Sequence, residues 1–128
     1  MSEEPLILII EDQYLLQADL EQALTKAGFA TELAYSAEEA LSIFKDSGKN
    51  FKALITDVDL GSGLNGWEVA RRIREIEPAF PVVYVTGSGA DDWSAQGVPN
   101  SILVPKPFAP GQLVTAISSL LNVGGPTT

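Results

Sequence analysis

Apolar residues along this chain alternate between two patterns. Five short runs read as strands: LILII at residues 6–10, then residues 30–35, 51–56, 81–85 and 101–104. Nearly continuous apolar runs of this length belong to strands buried on both faces. Between them, apolar positions recur at helical spacing. Over residues 14–27 these are Leu15, Leu16, Leu20, Ala23, Leu24 and Ala27, followed by Gly28, a residue suited to stop a helix. Ser36 with Glu39 forms a capping-box pattern ahead of Ala40, Leu41, Ile43 and Phe44, and Gly48 stands near the expected end. A third helix is expected over residues 67–76, with Val69, Ala70, Ile73 and Ile76 on one face and Pro78 beyond its end. Pro110 suits the first turn of a last helix that carries Leu113, Val114, Ile117, Leu120 and Leu121 and ends near Gly124. The stretch GSGADDWSAQGVP, residues 87–99, allows at most about two turns before Gly97, so the fourth helix is expected to be short or irregular. This alternation predicts βα units: an α/β domain with a parallel sheet covered by helices on both faces.

At 128 residues the chain has room for one domain. Residues 1–122 are expected to form it, and residues 123–128, with two glycines and a proline, a flexible tail. A net charge of −9 with eight scattered basic residues and no histidine argues against nucleic-acid binding, which rests on clustered Lys and Arg. Arg71, Arg72 and Arg74 fit a solvated helix face. The absence of cysteine excludes a disulfide framework and thiolate chemistry. The start MSEEPLILII is acidic where a secretory signal is basic, and its apolar run of five is too short for a membrane span. A soluble cytoplasmic protein without membrane contact is the expectation.

The chemistry-bearing residues sit at the ends of the apolar runs. Glu11 and Asp12 follow the first, Asp57 the third, Thr86 the fourth, and Lys106 the fifth. A parallel sheet brings such ends to one edge, where open α/β folds place their ligand sites. Three carboxylates gathered there ask for a counterion, and hard oxygen ligands suit Mg²⁺ first and Mn²⁺ second. Asp57 is the candidate nucleophile, because a carboxylate can accept a phosphoryl group as an acyl phosphate. Lys106 can bridge phosphoryl oxygens as a point charge, and Thr86 can donate its hydroxyl.

From LILIIED through ITDVDL, VVYVTG and VPKPF to the last helix, the sequence resembles the receiver domains of bacterial two-component response regulators. The resemblance implies a flavodoxin-like, doubly wound sheet in the order 2-1-3-4-5. It implies that Asp57 accepts a phosphoryl group from a histidine of a sensor kinase or histidine phosphotransferase, with no catalytic turnover of an outside substrate. Glu11, Asp12, Asp57 and the backbone carbonyl of Asp59 would hold Mg²⁺, while Thr86 and Lys106 would coordinate the phosphoryl group. A downstream protein partner, and a possible homodimer, would use the face of the fourth helix, fifth strand and fifth helix. Certain features depart from the family pattern. The loop VDLGSGLNG is one residue longer on its way to Gly66, Gly61 replaces the usual proline, and Asp59 adds a carboxylate two residues after the phosphoacceptor. Leu103 stands where an aromatic switch residue is usual, three positions before Lys106. The peptide before Pro107 is typically cis in the family.

Two other readings compete. In a haloacid-dehalogenase-type phosphatase, Asp57 would be the nucleophile and Asp59 the general acid, but that nucleophile strand normally comes first and here a complete βαβα precedes it. Asp57, Asp59, Asn65 and Glu68 also occupy positions 1, 3, 9 and 12 of a calcium-loop frame, which fails at its sixth position, Ser62.

Overall fold

The computed structural model describes residues 4–88 and 90–121. Within it the apolar runs become β1 (Leu6–Ile10), β2 (Ala30–Ala34), β3 (Phe51–Asp57), β4 (Val82–Thr86) and β5 (Ile102–Pro105). They pair in parallel in the order β2-β1-β3-β4-β5, the doubly wound arrangement expected. The helices are α1 (Tyr14–Lys26), α2 (Ala37–Asp46), α3 (Gly66–Ile76), α4 (Trp93–Gln96) and α5 (Pro110–Leu121).

Because successive strand residues point to opposite faces, the runs supply two cores at once. Leu8, Ile10, Leu54 and Tyr84 pack with Leu41, Val69, Ala70 and Ile73 from α2 and α3. Ile7, Ile9, Ala53, Ile55, Val83 and Val85 pack with Leu20, Leu24, Leu113 and Ile117 from α1 and α5. β4 is buried throughout, and β3 is buried except at Lys52.

Some boundaries and faces differ from expectation. Asp57 and Thr86 end strands and do not follow them, while Tyr35, Pro81 and Ser101 fall outside. In α1 the buried stripe is Gln17, Leu20 and Leu24, and Leu15 is 79% exposed. Leu15 lies two residues, about 200° of rotation, from Gln17 and so faces solvent. Ala27 is the exposed C-cap of α1. Ile76, the last residue of α3, is also exposed, lining a groove with Phe51, Pro78 and Pro81. Around α2, Ser36 Oγ accepts from Glu39 N at 3.1 Å and Glu39 Oε1 accepts from Tyr35 N at 2.7 Å. Asn65 and Glu68 form a capping box on α3, so two positions of the calcium-loop frame are spent on the helix start.

The fourth helix is a single turn, preceded by a 3₁₀ turn at Ala90–Asp92. Side chains tie this segment down: Arg71 Nη1 donates to Gln96 O at 2.9 Å, Tyr84 Oη accepts from Val98 N at 3.0 Å, and Trp93 Nε1 donates to Ser101 Oγ at 3.0 Å. Leu103 lies across from Tyr84 in the β4–β5 register. The helix end near Gly124 and the tail at residues 123–128 lie outside the described residues.

Gly66 joins the fold to the site. Its N–H donates to Val58 O at 2.8 Å, and a Cβ there would stand 2.3 Å from the backbone oxygen of Asp57. Gly66→Ala is expected to cost at least about 2 kcal/mol and lower the thermal midpoint by roughly 6–10 °C. Gly111→Ala, whose Cβ meets nothing within 4 Å on α5, is expected to leave the midpoint unchanged or raise it, since Ala is the better helix former. Differential scanning calorimetry of the two variants checks both.

Candidate functional site

The five candidate residues are brought together at the carboxyl edge of the sheet. The ladder pairs Ile10 with Thr56, Asp57 with Val85 and Thr86 with Pro105, which sets Glu11, Asp57, Thr86 and Lys106 side by side. Hydrogen bonds extend that order past the strand ends: Glu11 N donates to Ala34 O at 3.1 Å, and Lys106 N to Thr86 O at 2.7 Å. Asp12, Asp57, Asp59, Thr86 and Lys106 line one cavity of about 340 Å³.

Lys106 Nζ lies 3.1 Å from Asp57 Oδ2 and 3.7 Å from Glu11 Oε1. The Asp57 side chain is 7% exposed and that of Glu11 is fully buried. Asp57 Oδ1 accepts from Asp59 N at 3.3 Å, and Thr86 Oγ1 accepts from Ser88 N at 3.2 Å. Glu11 Oε2 accepts from Gln13 N at 3.1 Å, while Oε1 has no hydrogen-bond partner. Burial first, and then the charge of Asp57, push the Glu11 carboxyl up to about 7; the Gln13 N–H and Lys106 pull the other way.

Glu11, Asp12 and Asp57 each offer a carboxylate oxygen, all within 4.8 Å of one another. Hard oxygen donors, one of them a buried acceptor lacking a hydrogen bond, fit a small divalent cation of the Mg²⁺ type. Asp59 is exposed and stands at the rim of the same cavity.

Supporting residues were not anticipated from the sequence. Gln17 Nε2 donates to Ala34 O at 3.2 Å and to Glu11 O at 3.4 Å, bracing the ends of β1 and β2 beneath Glu11. Its position three residues before Leu20 and seven before Leu24 was the available signal. Gln13 and Ser88 act through backbone N–H groups, which no side-chain pattern reveals. The Lys106–Pro107 peptide is cis. No described helix is long and apolar enough to cross a membrane.

Comparisons with known proteins agree with this fold. The family model described as "Response regulator receiver domain" matches residues 7–118. The chain is 31% identical over 116 residues to the C4-dicarboxylate transport transcriptional regulatory protein DctD of Rhizobium meliloti (strain 1021), covering 89% of this chain and 25% of DctD. It is 28% identical over 119 residues to the sensor kinase CckA of Brucella abortus (strain 2308), covering 91% of this chain and 12% of CckA. The transcriptional regulatory protein CusR of Escherichia coli (strain K12) is 28% identical over 121 residues, with 92% and 52% covered. The chain thus spans about half or less of these curated relatives. A response regulator receiver protein from Sinorhizobium medicae WSM419 superposes with a TM-score of 0.90 at 42% identity, covering 94% of this chain and 96% of that one.

A carboxyl raised in the folded state stabilises the fold at low pH. That contribution is fully present below the ordinary value of 4.5 and is lost as pH rises through about 7. Its size is at most about 3 kcal/mol. In EDTA, the thermal midpoint of the wild type is expected to fall more steeply between pH 5 and pH 8 than that of Glu11→Gln. Parallel profiles would show that Glu11 titrates normally.

Proposed function

The chain belongs to the response regulator receiver domains of two-component signalling, and on that premise we propose that Asp57 is its phosphoacceptor. The observation that carries this reading is the Lys106–Asp57 ion pair of 3.1 Å, held against a buried glutamate at the ends of neighbouring strands. A carboxylate oxygen of Asp57 attacks the phosphorus of a phosphohistidine. The P–N bond breaks, its electron pair leaves with the imidazole, which takes up a proton, and the new P–O bond makes an acyl phosphate.

Glu11, Asp12, Asp57 and the backbone carbonyl of Asp59 would hold Mg²⁺, which when bound offsets the negative charge of the phosphoryl oxygens. Lys106 transfers its ammonium contact from Asp57 Oδ2 to a phosphoryl oxygen, and the Thr86 hydroxyl donates to another. Hydrolysis by water restores the carboxylate and releases phosphate. The added charge biases the surrounding loops between two arrangements, without turnover of an outside substrate.

Partners of this cytoplasmic domain are a sensor histidine kinase or histidine phosphotransferase and a downstream protein or second copy meeting the face of α4, β5 and α5. The matched family and the placement of Asp57 on the third strand favour this reading over the phosphatase alternative.

Incubation with acetyl phosphate and Mg²⁺ is expected to give a single phosphoryl adduct by intact mass, lost in EDTA and absent from Asp57→Asn. A folded wild type without an adduct overturns the assignment. The carboxylate of Asp59, beside the acyl phosphate, is expected to set its lifetime, so Asp59→Asn should change the decay rate of the adduct; an unchanged decay removes that role.

A further inference from the structure

The segment between β3 and α3, residues 58–65, wraps the acidic site and then leaves it. It carries Asp59 past the cavity, and at Gly61 it passes beside Asp12, where a Cβ would make an ordinary contact of 3.9 Å with Asp12 Oδ2. Its far end is fixed by the Asn65 capping box and by Gly66 against Asp57. From Gly61 to Leu64 the loop reads Gly-Ser-Gly-Leu, with Gly61 at φ +78° and Gly63 at φ +88°. Such a sequence has many accessible backbone conformations in the absence of an external tie.

Beside the packing of Leu60 and Leu64 against the core, a polar tie comes from α2. Glu38 Oε2 accepts from Leu64 N at 2.9 Å, across 26 residues of sequence. The carboxylate also lies over the neighbouring residue, in space that Gly63 leaves open: a Cβ there would meet Glu38 Oε2 at 2.7 Å. The Leu64 N–H first, and more weakly Arg72, hold this exposed carboxyl below its usual range. The bond is therefore made by a charged acceptor, the stronger class of hydrogen bond.

We propose that Glu38 is a positioning residue: by clamping Leu64 it fixes the loop that carries Asp59 and Gly61 past Asp12, and so raises the affinity of the acidic site for Mg²⁺. Glu38 touches none of the candidate ligands. It acts by reducing the ordering that the loop must undergo when the cation binds. The inference rests on the proposed Mg²⁺ site and adds to it a residue from an element that contributes no ligand.

The test is calorimetric titration of MgCl₂ into the full chain as wild type, Glu38→Ala, Glu38→Gln and Glu39→Ala. Loss of one such hydrogen bond corresponds to roughly three- to tenfold weaker binding in Glu38→Ala. Glu38→Gln keeps an acceptor oxygen and is expected within about twofold of wild type on the same scale. Glu39→Ala removes the Tyr35 contact from the same turn of α2 without touching the loop, and is expected to bind as wild type does while melting earlier. Equal affinities for wild type and Glu38→Ala overturn the inference, as does equal weakening by Glu38→Ala and Glu39→Ala. A wild type that binds no Mg²⁺ overturns the metal site itself, and the inference with it.

Discussion

Holding Glu11, Asp12 and Asp57 within 4.8 Å of one another is the arrangement on which the rest of the molecule depends. Two like charges about 4 Å apart repel by roughly 4 kcal/mol at the effective dielectric of a protein surface. Lys106 faces two of the three carboxylates and cannot neutralise the set. The repulsion is met by the sheet, whose central strands are locked by apolar packing on both faces. Neither β1 nor β3 can slide to separate its acid without pulling apart two cores. Glu11, pushed up first by its burial and then by the charge of Asp57, holds its proton above the usual carboxylate range. A cluster of acids held together in this way favours the arrival of positive charge.

Much of this was legible in the sequence because the same physics writes both levels. Strands buried on two faces must be apolar runs, so LILII and LIT announce themselves, and the charged residues that interrupt them fall at the functional edge. Ser36 with Glu39 signalled α2 because the unsatisfied N–H groups of a helix start need side-chain acceptors. Other features were hidden. Asp57 and Thr86 are the last residues of β3 and β4, one position beyond where the apolar runs stop. Leu15 looks like core and Gln17 like surface, yet the stripe set by Leu20 and Leu24 places them the other way round. Ile76 continues the periodicity of α3 but stands at its last residue, where little packs over it. The Glu38–Leu64 contact joins two elements across 26 residues, and nothing in either segment alone records it.

The relatives separate the site from its consequence. DctD and CusR are described as transcriptional regulatory proteins and CckA as a sensor kinase, and in each the matched region is only part of a longer chain. One fold can serve different outputs, because function resides in the sites, surfaces and attached segments that the fold carries.

Those surfaces are not equally durable. The crossover from β4 to β5 holds a helix of only four residues, too short to gain from helical cooperativity. Its order rests chiefly on the bonds from Arg71, Tyr84 and Trp93. Short segments held by a few such bonds belong to the low-stability end of a fold and open locally, apart from global unfolding. The sheet can therefore stay closed around its acids while this one connection melts and re-forms many times over.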